Sequence, residues 1–257
     1  MFPRTQIRVA ALIGMVVVLV AGCSSQPDEP GVEARTATLR ILDGGVEVAA
    51  GGTGFTAGRD GQVLVVGDVV RTADGGRAAI EWFDGSVTRL ERGTTFTLVA
   101  MEELPAGGVE IEGEQSAGST YHRVTTLTEA ASRFDVVTPT ATASVQGTIF
   151  AVIFNADGST GFAVFEGTVL VGAAGVPVPA GFMVVVAADG TVGEPVPIPA
   201  ELLAADWIRY NQCELDAAID CEAATLDRIE LSPSEATIAA GDSQEYTVEA
   251  FNSDGES

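Results

Sequence analysis

Between residues 38 and 190, short apolar runs, some alternating and some continuous, recur and stop at Asp-Gly or Gly-Gly. Asp43-Gly44, Asp60-Gly61, Asp74-Gly75, Asp84-Gly85, Asp157-Gly158 and Asp189-Gly190 are the clearest stops. Such pairs supply the positive φ angles that tight hairpins need. Ile80-Glu81-Trp82-Phe83, the turn Asp84-Gly85, and Ser86 to Leu90 therefore predict a hairpin. Further strands are predicted over Thr95 to Met101, Val109 to Glu112, Tyr121 to Leu127, Phe134 to Val137, Val145 to Phe154, Phe162 to Gly172 and Gly181 to Ala187. Residues 103 to 120, with Leu-Pro-Ala-Gly-Gly and later Gly-Glu-Gln-Ser-Ala-Gly-Ser, contain a looser, insertion-prone loop. No ten-residue window in this region carries a 3.6-residue apolar period, which excludes the alternating strand–helix folds.

The period changes after Pro195, Pro197 and Pro199. Ala200 to about Asn211 predicts a helix with Leu203, Trp207 and Tyr210 on one face, laid over an open end of the β domain. Trp82 is expected to pack against it. From Arg228 the pattern returns to strands: Ile229 to Leu231, Ala236 to Ile238 and Glu245 to Phe251, with turns between.

The other end of the chain has a different character. Arg4 and Arg8 precede an unbroken apolar run from Val9 to Gly22, which ends in Val20-Ala21-Gly22-Cys23. Two charges, a short apolar core and small residues are the form of a secretory signal. Fourteen apolar residues are short for a membrane span. The ending has the form of a bacterial lipobox, which predicts cleavage before Cys23 and acylation of that cysteine. The acylated protein would then be exported and anchored on the outer face of the bacterial cell membrane. Residues 23–37, with Pro, Ser and acids and no periodicity, read as a flexible tether.

Charge narrows the partners. Thirteen basic residues, all Arg, face thirty-six acids, for a net charge of −23. Such a surface repels nucleic acid backbones and anionic headgroups. Nucleic acid is excluded as a partner. Of the remaining cysteines, Cys213 and Cys221 are expected to pair in the oxidising exterior. On one continuous helix they would stand about 12 Å apart, so the pairing requires the helix to break between them.

Several pieces in order resemble the FecR domain family over residues 61 to 190. They are Gly67-Asp68-Val69-Val70-Arg71-Thr72, Gly76-Arg77-Ala78, Phe83-Asp84-Gly85-Ser86-Val87 and Leu90. Phe134-Asp135-Val136-Val137-Thr138-Pro139, Val145-Gln146-Gly147-Thr148-Ile149-Phe150, Val164-Phe165-Glu166-Gly167-Thr168-Val169 and Pro179-Ala180-Gly181 follow. Gln146 stands where the family usually has Arg. The resemblance implies an extracytoplasmic, non-catalytic all-β domain; better-known relatives relay an iron–siderophore signal through a membrane span and a cytoplasmic anti-sigma segment. Residues from 229 resemble the opening of a bacterial Ig-like domain. The motif residues are expected to be structural: Thr138-Pro139 fixing strand direction, Gly147 permitting close packing or a bulge before Ile149 and Phe150, one of which should face the core, and Gly85 and Gly167 solving turns.

The chemistry on offer is sparse. His122, the only histidine, has no Cys or carboxylate beside it and reads as a polar strand residue. No Gly-x-Ser-x-Gly elbow, phosphate loop or dinucleotide motif occurs. Trp82 beside Glu81 and Asp84 is the one candidate glycan contact. Asn155, Asp157 and Ser159, with Glu166 twelfth from Asn155, resemble a calcium loop in fragment, but Thr160 takes the place of its sharp-turn Gly. No cofactor is expected, with room only for weak calcium stabilisation.

The expected organisation is a signal peptide over 1–22, a tether over 23–37, a FecR-like domain over 38–195, a helical segment over 196–227 and a partial Ig-like domain over 228–257. The expected fold is all-β, short antiparallel hairpins in a β-sandwich or short β-roll with a C-terminal packing helix. The leading functional expectation is an envelope scaffold or interaction module, its partner an envelope protein or cell-wall polymer. A cell-wall glycan binder and a signal receptor acting through a membrane partner are the alternatives.

Overall fold

The computed structural model describes residues 35–104, 107–215, 226–232 and 247–252. The strands are β1 (Ala37–Asp43), β2 (Val46–Ala49), β3 (Phe55–Ala57), β4 (Val63–Leu64), β5 (Val69–Thr72), β6 (Arg77–Glu81), β7 (Val87–Leu90), β8 (Thr95–Glu103) and β9 (Val109–Ala117). They continue as β10 (Ser119–Arg123), β11 (Arg133–Val137), β12 (Thr142–Val145), β13 (Ile149–Phe154), β14 (Thr160–Glu166), β15 (Thr168–Val171), β16 (Val176–Pro179), β17 (Phe182–Val186) and β18 (Val196–Pro197). Two helices follow, α1 (Ala200–Leu203) and α2 (Asp206–Leu215). Strands β19 (Leu226–Ser232) and β20 (Thr247–Asn252) pair antiparallel in a sheet of their own. The Ala236 to Ile238 strand expected between them lies outside the described residues.

The eighteen strands form two sheets of nine. One is ordered β18-β17-β14-β13-β10-β7-β6-β1-β4 and the other β16-β15-β12-β11-β9-β8-β5-β2-β3. In both, sequence order and spatial order run together apart from the first four strands. The chain advances as a roll, laying down one strand or hairpin in one sheet and then crossing to the other. The sandwich and the roll are thus one object here: two facing sheets wound progressively. Nearly all pairings are antiparallel. The exception is β9 with β11, which run parallel because the chain passes through β10 of the opposite sheet between them.

Alternation within the strands builds the core. Leu39, Ile80, Phe96, Phe134, Phe150 and Val164 point between the sheets and are fully buried. Each such side chain stabilises the fold by roughly 1.5–3 kcal/mol relative to exposure. A second, smaller cluster covers the outer face of the first sheet, where Ile208 of α2 packs on Tyr121 and Ala151 with Trp207, Leu202 and Phe165 around it.

Five expectations are corrected. Val145 to Phe154 is two strands in different sheets, β12 and β13, parted at Gly147. Phe162 to Gly172 is likewise β14 and β15, parted at Gly167, and β10 ends at Arg123 rather than Leu127. Within residues 103 to 120, β9 runs on to Ala117 rather than ending at Glu112. Its inward positions include Gly113, where a Cβ would overlap the buried Phe96 ring; the glycine makes room for that ring. The helix is broken after Leu203, which rotates the stripe: Leu203 is exposed and Ile208 carries the buried contact.

Candidate functional site

His122 lies fully buried in β10, inside a one-way chain of hydrogen bonds. Trp82 Nε1 donates to Thr88 Oγ1 at 2.9 Å, and Thr88 Oγ1 is 3.0 Å from His122 Nδ1. On the other side, His122 Nε2 is 2.6 Å from Thr120 Oγ1, which donates to Gln115 Oε1 at 2.5 Å. Gln115 Nε2 closes the chain by donating to the carbonyls of Gly118 and Val152. Because the Thr120 proton points to Gln115, His122 Nε2 carries the hydrogen and Nδ1 accepts from Thr88. Phe150 stacks on the imidazole at 4.6 Å, and burial pushes the His122 pKa down to about 3. The ring is neutral, closed off from solvent and fully engaged, which suits a core specificity element rather than a base.

Trp82 sits in the same layer. It is only 3 % exposed and packs edge-on against Phe96 and Phe134. It neither touches the C-terminal helix nor presents a platform to solvent, so the candidate glycan contact is lost. The inward face of β6, extended past Glu81, carries it between the sheets.

The family-like motifs separate into three groups. At the first, Asp68 is buried and its carboxylate accepts from Gly51 N and Val65 N at 2.9 and 3.0 Å, tying the turn after Gly67. Arg71 pairs with Glu47 at 2.7 Å and lies over the Phe55 ring, while Thr72 donates to Glu91 O and accepts from Thr94 N. At the second, Thr138 and Pro139 open the turn between β11 and β12, where Thr138 Oγ1 donates to Ala141 O at 2.9 Å.

The third group forms one corner. There the β6–β7 turn, the exit from β10 and two sheet crossings converge. Asp84 accepts from Ser86 N and Oγ, and Thr125 N in turn donates to Ser86 Oγ at 3.1 Å. Gly85 closes that turn with φ +86. Val124 N donates to Thr148 O and Leu127 N to Gln146 O. Gly147 has φ +120, and a Cβ on it would lie 2.8 Å from Thr126 Cα. Gly167, at φ +78, would bring a Cβ within 2.8 Å of Gly147 O. Both crossings thus demand glycine twice over, for backbone conformation and for space. Of Ile149 and Phe150, Phe150 is the residue that turns inward.

Beside these glycines is a half-open cleft of about 320 Å³ lined by Arg123, Thr125, Thr126, Thr148, Ile149 and Glu166, with Val124 and Gly147 completing its wall. The Thr148 hydroxyl is buried and has no hydrogen-bond partner among the described residues. The register sets Arg123 opposite Ile149 and Ile149 opposite Glu166, a row across three strands on one face. Arg123 was not singled out in the sequence. Only the strand register, which brings it beside the motif residues, gives it significance.

The remaining candidates lie elsewhere. Asp157 accepts from Ser159 N and Oγ within its own turn, which holds its carboxyl below the usual range, first through the hydroxyl bond and then the backbone bond. Glu166 sits at the far end of β14, roughly 20 Å of extended strand beyond Thr160. It cannot act as the twelfth ligand of a loop around Asp157. Among the described residues no three His, Cys, Asp or Glu side chains are grouped to hold a metal ion. Cys213 belongs to α2, whereas Cys23 and Cys221 lie outside the described residues.

No curated protein matches the chain. Among solved structures, two crystal structures at 1.65 and 2.50 Å of a protein described as an anti-sigma factor from Parabacteroides distasonis align with 21 % identity. Each alignment covers 50 % of this chain and 57 % of that one with a TM-score of 0.40, so the chain spans little more than half of that protein's length. Residues 68–170, from the Asp68 turn through the corner to β15, match the family described as FecR protein and form a FecR-like domain.

Proposed function

We propose that the chain is the receptor arm of a signal relay in the bacterial envelope, a non-catalytic FecR-like domain that acts through a protein partner in the membrane. The observation that carries this reading is the FecR match over residues 68–170. In the family it resembles, this domain reports an outside event to the membrane. The physical features agree with such a role. The one histidine is consumed in the core, and the motif residues spend themselves on turns and crossings. The scaffold reading explains these features equally but gives no reason for a family-like corner with unused polar groups. The glycan reading loses Trp82.

In this proposal Cys23 is acylated, the tether holds the domain off the outer face, and residues from 228 serve as an Ig-like module. Photo-crosslinking in cells tests the relay. Probes at the exposed positions Val99, Leu170 and Val185 of the full-length protein should give one dominant membrane-protein adduct. Adducts to wall polymer alone, or none above background, would overturn it. Metabolic labelling with palmitate should mark the protein and be lost in Cys23→Ala.

A further inference from the structure

We propose that the corner cleft is a peptide-reading site, taking an extended segment of a partner protein with an acidic and a basic side chain two residues apart. This rests on the relay reading and gives its partner a chemistry. The row Arg123–Ile149–Glu166 spans three adjacent strands, so its two charged residues stand about two strand spacings apart, roughly 10 Å. They do not pair with each other, and neither makes an ion pair with any other described residue. Among the described residues Arg59 and Arg209 likewise make no ion pair. Six other arginines have found carboxylates within 4 Å.

Between the charges, half-buried Ile149 offers an apolar floor, and the cleft wall holds the unpartnered Thr148 hydroxyl. In an extended peptide, side chains i and i+2 share a face about 7 Å apart. The long Arg and Glu side chains cover the remaining distance to a carboxylate and an ammonium at those positions. The peptide backbone then passes over Ile149, and its amide and carbonyl groups are the natural partners for the exposed Thr126. A purely acidic segment would meet Glu166 and the net charge of −23; a purely basic one would meet Arg123. The row therefore selects a segment with both signs.

The test uses the full mature chain, ¹⁵N-labelled, with two blocked tripeptides at millimolar concentration. Acetyl-Glu-Ala-Lys-amide should shift the amide signals of Gly147, Thr148 and Gly167 saturably, and acetyl-Gln-Ala-Gln-amide should not. Arg123→Glu and Glu166→Gln should each weaken the charged peptide at least fivefold, with the remaining spectrum unchanged. Equal effects of both peptides, no shift with either, or full binding by Arg123→Glu would overturn the assignment. The crosslinking positions Val99, Leu170 and Val185 do not line the cleft, so a dominant membrane-protein adduct there would leave the relay standing even if the cleft fails.

Discussion

Inside the roll, five side chains from Trp82 to Gln115 are joined by hydrogen bonds without a gap, whereas at the corner, among the described residues, Thr148 Oγ1 has no partner and Arg123 and Glu166 make no ion pair. Both places sit on β10, one residue apart at His122 and Arg123, on opposite faces of the strand. A low-dielectric interior penalises any unmade hydrogen bond, so a polar chain survives there only when complete. At the corner Arg123 and Glu166 are exposed and bear no such demand, so they remain available to another molecule, while the buried Thr148 hydroxyl lacks a partner among the described residues. Full satisfaction marks what the fold uses for itself.

The interior should therefore break most easily. Gly113→Val should cost about 3 kcal/mol or more, because Phe96 is fully buried between Trp82 and His122 and cannot swing aside. A denaturant titration reads this directly; a loss below about 1 kcal/mol would mean that the core yields and the interior is not tightly specified.

How much of this contrast is legible in the sequence depends on whether local chemistry or register decides it. Hairpins such as the one closed by Asp84-Gly85 are readable because the turn residues act locally. The crossings at Gly147 and Gly167 are not, because Val145 and Phe150 both face the core from different sheets. Burial looks the same on either side of a crossing. The length of strand β9 is hidden for another reason: its inward positions are Ile111, Gly113 and Gln115, only one of them apolar and large. The cleft row is assembled by pairing across three strands, and nothing local marks Arg123 as its member. Trp82 misled because an aromatic beside acids looks the same whether it faces sugar or core.

The next effect is on pH dependence. Burial lowers the His122 pKa to about 3, against about 6.5 in an unfolded chain. Between those values the unfolded chain holds a proton that the folded one refuses. Stability from this group is fully present above about pH 6.5 and is lost as pH falls toward 3, by up to about 1.4 kcal/mol per unit. Protonation would put a second donor on Thr88 Oγ1 and leave that hydroxyl's own proton without an acceptor. Comparing wild type with His122→Phe isolates the effect from the many carboxylates. The wild type should lose more stability between pH 6.5 and 4; parallel curves would show that His122 charges without cost.

The Thr→Val pair, with its smallest effect at Thr148, separates the two regions most cleanly, because it applies one chemical change to each. Thr→Val replaces a hydroxyl with a methyl of similar volume. At Thr88 it removes the acceptor of Trp82 Nε1 and the donor to His122 Nδ1 together. That should cost about 2–4 kcal/mol. At Thr148 the hydroxyl is buried without a partner, so its removal relieves a desolvation penalty. Thr148→Val should therefore be neutral or stabilising by up to about 1 kcal/mol. Of the urea midpoints of the two variants, measured side by side, only that of Thr88→Val should fall. If Thr148→Val instead loses more than about 1 kcal/mol, the hydroxyl is already engaged in the folded protein. The corner would then belong with the satisfied interior rather than with surfaces left open for a partner.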